Sequence, residues 1–193
     1  MTEDRPRLIA RAVAFENAVW RVNRDHVRDS AGREVRDYVS LSPKAAPDSA
    51  DGAPAPTQGV AVVARDAQAR VALLRNWRHP IGRWSWELPK GFVDANENAE
   101  AAARRELAEE TRLACPGGLL SLGIAAAEPS TIAGFAALYL ARDCAAAVGP
   151  RDAELGMGRL AFFDDDAVRA LERAGEILDS LTLVGLARAR DAD

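Results

Sequence analysis

Short apolar runs separated by polar breaks fill most of the chain, and their lengths predict strands more often than helices. Residues 59–64 and 71–74 are nearly all apolar and flank Arg65-Asp66-Ala67-Gln68, the pattern of two buried strands joined by a turn. Residues 84–88 alternate and stop at Pro89. Residues 119–127 and 135–141 read as strands around a loop at Glu128-Pro129-Ser130-Thr131, and 160–163 as a further strand. Nearer the N-terminus, residues 12–41 read as two or three short strands, with Asp29-Ser30-Ala31-Gly32 supplying hairpin chemistry. Helical spacing takes over in three places, 98–113, 165–174 and 179–190, and Asn98 and Asp179 are suited to cap the first and last. Strands outnumber helices in mixed order, which predicts an α+β fold, a mixed sheet with helices packed on it.

One stretch carries no periodicity. Residues 42–56 hold Pro43, Pro47, Pro54 and Pro56, and read as a solvated loop or linker. It divides an N-terminal β arm with its Pro/Ala-rich loop, 1–57, from a main domain, 58–193.

Composition narrows the class of function. A chain of 193 residues with 48% hydrophobic and 28% charged residues is ordinary for a soluble globular protein. The formal net charge of −4 leaves no basic excess for nucleic acid or a membrane surface. No apolar run approaches the ~18 residues of a membrane span, and the opening residues lack a secretory apolar stretch. Cys115 and Cys144 are two isolated thiols, neither a disulfide framework nor a C-x-x-C metal pair. A soluble, reducing, cytoplasmic setting is the simplest expectation.

Residues 98–113 carry the chemistry. Ala101, Ala102, Ala103 and Leu107 are strong helix formers. Glu106, Glu109 and Glu110 then fall at i, i+3 and i+4, on one side of the helix and toward its C-terminal end. Like charges at that spacing destabilise an isolated helix by about 0.2–0.5 kcal/mol per pair, and the macrodipole disfavours anions there. A solvated, charged helix face would explain the glutamates taken alone. A hard divalent cation would reverse both penalties, because Mg²⁺ and Mn²⁺ prefer carboxylate oxygens.

The surrounding spacing decides between these readings. Gly91, five residues, Glu97, seven residues and then Arg105-Glu106-Leu107-x-Glu109-Glu110-x-x-Leu113 resembles the Nudix box, GX5EX7REUXEEXGU with U aliphatic. Eight of the nine defining positions match, and Arg112 stands where the family has Gly. A glycine there lets the chain leave the helix through positive φ. Arg112 would strain by ~1 kcal/mol in that conformation, or Gly117-Gly118 would supply the release later. The resemblance implies a Nudix α/β/α sandwich. It also implies Glu106 and Glu110 as the main ligands of Mg²⁺ or Mn²⁺, with Glu109 assisting, and Arg105 and Glu97 as braces.

Upstream, Leu74-Arg75-Asn76-Trp77-Arg78-His79-Pro80 and Trp86-Glu87-Leu88-Pro89-Lys90-Gly91 resemble the "QyRxP…WElPaG" pattern of ADP-ribose and nucleoside-diphosphate-sugar pyrophosphatases, with Asn76 replacing Gln and Lys90 replacing Ala. Downstream, Gly175-Glu176-Ile177-Leu178-Asp179-Ser180-Leu181-Thr182 is similar to that branch's "G.I.D..T" ending. The resemblance implies hydrolysis of a nucleoside diphosphate sugar, ADP-ribose to AMP and ribose 5-phosphate first, with GDP-mannose, NADH or an inactive nucleotide-binding module as alternatives. It makes Arg78 a candidate for the diphosphate or terminal ribose, against a plain surface salt bridge. Glu87 is either a structural hydrogen-bonding group or a metal-positioning one. The backbone carbonyl of Lys90 or Gly91 is a further metal ligand by resemblance. Trp20 and Tyr38, on two arms of the predicted hairpin, have the spacing of the aromatic pair that holds adenine in this branch; core or interface packing is the alternative. The branch also implies a homodimer through the N-terminal strands. Its catalytic base lies on a loop after the sheet, here residues 148–158, where Glu154 is the only Glu, with Asp152 nearby. Glu154 is therefore the candidate general base or third-metal ligand. The family's second Glu, three residues on, is replaced by Met157. His26 and His79 read as ordinary surface or packing residues.

Overall fold

The computed structural model describes residues 5–44, 57–149 and 154–192. The proline-rich residues 45–56 and Asp152 lie outside them. The chain divides into two compact units, Met1–Gln58 with Ala126–Phe135, and Gly59–Ala125 with Ala136–Asp193.

In the first unit, β1 (Arg7–Glu16), β2 (Trp20–Arg28) and β3 (Glu34–Pro43) form an antiparallel meander in the order β1-β2-β3. The expected turn is present: the Gly32 N–H donates to the Asp29 carbonyl at 3.1 Å, and Gly32 adopts φ +80°. The strands run longer than their apolar pattern suggested. Cross-strand ladders and ion pairs extend them through polar residues, as where Arg11 holds Asp25 through two hydrogen bonds of 2.7 and 2.8 Å. Residues 126–135 join this unit along β3, with Leu41 N–H donating to the Thr131 carbonyl and Ala133 N–H to the Leu41 carbonyl, both at 2.7 Å.

Among its described residues the second unit contains nine strands and three α-helices. The strands are β4 (Thr57–Ala64, whose first two residues cluster with the other unit), β5 (Val71–Arg78), β6 (Arg83–Glu87), β7 (Lys90–Phe92), β8 (Leu113–Ala114), β9 (Leu120–Ala125), β10 (Phe135–Ala141), β11 (Ala145–Ala146) and β12 (Met157–Phe163). The helices are α1 (Ala99–Thr111), α2 (Asp165–Arg173) and α3 (Ser180–Arg190). Sheet orders are β7-β4-β10-β9, β12-β5-β6 and β11-β8. Strand β4 explains the layering, because it is buried on both faces. Ala61 and Val63 join a core with Val168 of α2 and Leu186 and Ala189 of α3. Val60, Val62 and Ala64 join another with Ala102, Ala103 and Leu107 of α1. Period-two alternation along the apolar residues 60–64 of this strand thus sends side chains into cores on opposite faces. The α+β class with helices on both sides of a sheet is as the sequence led us to expect. The pattern missed β7, β8 and β11, which are too short for periodicity to register.

Helix α1 begins where expected, with Asn98 Oδ1 accepting from the Ala101 N–H at 2.8 Å. It ends at Arg112 in the left-handed region, φ 57° and ψ 32°. Gly117 and Gly118 are not at positive φ, so release comes at the arginine itself. Backbone bonds hold Arg112 there: its N–H reaches the Ala108 carbonyl at 2.9 Å and its carbonyl accepts from Ala147 N–H at 2.7 Å. Arg112→Gly should relieve the strain and stabilise the protein by ~1 kcal/mol, read as a higher denaturant midpoint at constant m-value.

One expectation fails outright. Cys115 and Cys144 are disulfide-bonded, with Cα atoms 4.3 Å apart. The pairing of β8 with β11 matches Ala114 with Ala145 and so sets the flanking cysteines side by side. Their separation of 29 residues concealed this. The cysteines therefore no longer argue for a reducing compartment. Among the described residues no helix is long and apolar enough to cross a membrane.

Candidate active site

The apolar face of α1 decides where its glutamates go. Ala102, Ala103 and Leu107 are buried against the sheet, and the same rotation turns Glu106 and Glu110 against the edge strand β7. Both residues are buried, whereas the Glu109 side chain is 40% exposed. Gly91 in β7 makes the approach possible: a Cβ there would lie 2.2 Å from the Glu106 carboxylate. The neighbouring Lys90 N–H donates to Glu110 Oε2 at 2.8 Å.

Arg105 gathers the rest of the segment. Its guanidinium donates to Glu97 Oε2 at 2.9 Å, Glu106 Oε1 at 2.8 Å, Glu109 Oε2 at 3.0 Å and the Phe92 carbonyl at 2.8 Å. Its hydrogen bonds to Glu97, and then those to Glu106 and Glu109, hold the guanidinium firmly protonated. Glu97 in turn is lowered, first by Arg105. The loop and the glutamates are therefore braced by one planar cation with donors in several directions.

The two buried carboxylates remain under electrostatic stress. Burial raises Glu106, and Arg105 offsets this only in part. Burial raises Glu110 to about 7, with the like charges of Glu106 and Glu154 adding to it and the Lys90 N–H opposing. A carboxyl raised from 4.5 in the folded state contributes stability that is full below that value and is lost as pH climbs through about 7. The metal-free protein should accordingly melt lower at about pH 8 than at about pH 6, with Mg²⁺ narrowing the gap. Thermal melts in EDTA and in Mg²⁺ across this range test it; a flat metal-free profile contradicts the stress.

Glu154 is exposed, and its negative charge adds to the upward shift of both Glu106 and Glu110. The described residues that follow Glu154 are held against β5 through two glycines. Gly156 accepts from the Trp77 N–H at 2.8 Å, and a Cβ at Gly158 would meet the Arg75 carbonyl at 2.4 Å.

Beside the carboxylates lies a second charged group. Arg78, at the end of β5, donates from Nε to both oxygens of Glu87, at 2.9 and 3.1 Å, and Nη2 also contacts Glu87. Lys90 Nζ lies 2.9 Å from Glu87 and 2.5 Å from Asp179. Of the two readings open for Glu87, this arrangement favours the bracing one, and Arg78 occupies the salt bridge that was its alternative. Burial works against the Asp179 charge, but Lys90 and the Thr182 hydrogen bonds outweigh it and leave the carboxyl lowered. The sequence pointed to Asp179 as a helix cap and as the Asp of the "G.I.D..T" ending, not as a partner of Lys90. Asn76, replacing the branch's Gln, is buried with Oδ1 lacking a hydrogen-bond partner.

Trp20 and Tyr38 are not brought together. Trp20 pairs with Pro43 and Tyr38 with Asp25, five residues further along β2, so their side chains leave opposite faces of the three-stranded sheet. One base cannot be stacked between these two rings of a single chain. The Tyr38 hydroxyl donates to the Ser130 carbonyl at 2.5 Å. His26 makes a 3.0 Å contact with Glu34, an ordinary surface role.

The residues fit a divalent ion in number and type. Among the described residues no three acidic, imidazole or thiolate groups converge into a closed cage. Mg²⁺ needs only one or two carboxylates, completing its shell with waters and substrate phosphates. Two desolvated carboxylates fitted against a glycine meet that requirement.

The NUDIX domain family matches residues 55–128. An ADP-ribose pyrophosphatase from Mycobacterium tuberculosis is 30% identical over 118 residues, 58% of this chain and 48% of that protein. An ADP-sugar pyrophosphatase from Mus musculus is 49% identical over 41 residues, 21% of this chain and 19% of that protein. The chain thus spans less than half the length of the curated relatives it matches. A solved structure described as an ADP compounds hydrolase superposes with a TM-score of 0.78 at 16% identity, covering 100% of this chain and 96% of that one, a likeness of fold.

Proposed function

We propose, from the premise that this chain carries a NUDIX domain across residues 55–128, that it is a divalent-metal-dependent pyrophosphohydrolase of nucleoside diphosphate sugars, taking ADP-ribose to AMP and ribose 5-phosphate. The observation that carries this reading is the pair of buried carboxylates, Glu106 and Glu110, held against Gly91 and facing the charge of Glu154. The pyrophosphatase names of the relatives support the choice of an ADP-linked diphosphate.

Glu106 and Glu110 would hold Mg²⁺ or Mn²⁺, with Glu109 assisting and the Lys90 carbonyl as a backbone ligand. The ion supplies a site for the diphosphate oxygens and a lowered pKa for a bound water. Arg105 and Glu97 keep the carboxylates oriented. Glu154 accepts the proton of the attacking water, and Arg78 binds the diphosphate. Trp20 and Tyr38 offer ring faces for the nucleobase from separate faces of the β1–β3 sheet, a geometry that calls for a second copy of the chain if both are used. A homodimer through these strands and a cytoplasmic setting complete the proposal.

The test is a panel of ADP-ribose, GDP-mannose and NADH, each with Mg²⁺ and with Mn²⁺, with phosphate release coupled to alkaline phosphatase. ADP-ribose should give the highest kcat/KM. Preference for GDP-mannose or NADH moves the substrate within the same chemistry. Nucleotide binding without turnover on any of them would make the chain an inactive binding module.

A further inference from the structure

Lys90 occupies a position no sequence pattern explained, and its surroundings are unusual. Glu87 is 1% exposed and is contacted by two cations, Arg78 and Lys90. Lys90 also contacts Asp179, whose other oxygen accepts from Thr182 N–H at 2.8 Å and from Thr182 Oγ1–H at 2.6 Å. Thr182 Oγ1 accepts from the Leu88 N–H at 3.1 Å. The strut therefore runs from the cap of α3 through Lys90 to Glu87, while the Lys90 N–H reaches Glu110. The group holds two carboxylates and two cations, a neutral set. Arg78 is its most exposed member at 43%; Lys90 and Asp179 are mostly buried.

This arrangement bears on how Arg78 could serve a substrate. Nε of its guanidinium donates to both oxygens of Glu87, and Nη2 contacts Glu87 as well. Turning it to a diphosphate would strip a buried carboxylate of a cation, which is strongly unfavourable if no other remains. Lys90 does remain. We propose that Lys90 is a positioning residue for substrate binding: it stays on Glu87 and so frees Arg78 to transfer to the diphosphate, anchored meanwhile by Asp179. The inference rests on the proposed diphosphate substrate and deepens it. It assigns the second cation on Glu87 to binding, leaving the hydrolytic step to the carboxylates of α1 and to Glu154.

The experiment measures binding of ADP-ribose and of ADP by calorimetry in EDTA, and KM and kcat for ADP-ribose in Mg²⁺. Lys90→Met should weaken both Kd values and raise KM by about 10- to 100-fold with kcat changed little, and Lys90→Arg should restore them. In an Arg78→Ala background, Lys90→Met should add almost nothing, since there is no guanidinium to release. Should Lys90→Met fold poorly, Lys90→Met/Asp179→Asn removes one charge of each sign and keeps a capping side chain on α3, and it should show the same loss. Unchanged Kd and KM in a folded variant, or equal losses with and without Arg78, overturn the proposal. Wild-type protein that binds ADP but not ADP-ribose overturns the sugar assignment alone, because the Lys90 comparison still reads out on ADP. Wild-type protein that binds neither overturns both.

Discussion

Glu110→Gln is expected to lower metal-dependent kcat/KM by about 10³-fold, the loss of several kcal/mol of transition-state stabilisation that a correctly held ion provides. The amide keeps the shape and can still accept the Lys90 N–H, but it lacks the charge that binds a hard cation. A second signature separates metal loss from misfolding. Burial raises Glu110 to about 7, so its ionised form destabilises the metal-free fold above that pH. Glu110→Gln should therefore melt higher than wild type in EDTA at about pH 8, and lose most of the stabilisation that Mg²⁺ gives wild type. Isothermal titration of Mn²⁺ and paired melts read both. A variant that keeps ordinary Mg²⁺-dependent turnover would sink the assignment of α1 as the metal-holding helix.

Gly91→Ala should lower kcat/KM by roughly 10²-fold without touching a charged group. The new Cβ would lie 2.2 Å from the Glu106 carboxyl, too close for the carboxylate to keep its place. Displacement on the scale of ~1 Å at a reacting centre is worth about that factor. Glu106 is also held by Arg105 at 2.8 Å, so the shift should propagate to Glu97 and Glu109. Weakened Mn²⁺ affinity with a far-ultraviolet spectrum like wild type is the expected outcome. Full activity in Gly91→Ala would mean that Glu106 need not lie against β7. Glycine at this position is thus required for space beside its Cα, whereas at the end of α1 it would serve conformation, and there the chain tolerates Arg112.

Much of the site was legible because its logic is local. The i, i+3, i+4 glutamates and Arg105 share one helix, Glu97 precedes it by a turn, and α1 starts and stops within two residues of the expected bounds. Arg105 makes the contacts expected of a brace. Strand β4 was equally visible, since a strand buried on both faces carries an uninterrupted apolar run, whereas β7, β8 and β11 were too short to register.

What the sequence could not decide depends on residues far apart in the chain. The pairing of β8 with β11 created the disulfide between Cys115 and Cys144. Register on β2 and β3 separated Trp20 from Tyr38, because alternation sends residues an odd number apart to opposite faces. The packing of α3 brought Asp179 to Lys90 across 89 positions, making a lysine that the sequence showed only as a replacement for Ala part of a balanced charge cluster. Likewise only in the folded chain does the charge of Glu154 add to the upward shift of Glu110. The sequence by itself determined which groups are present and, along one helix, which face they share, because hydrogen-bonded helical geometry repeats every few residues. Tertiary structure alone decided which of those groups are desolvated and what neutralises them, because burial and long-range charge pairing belong to the packed chain.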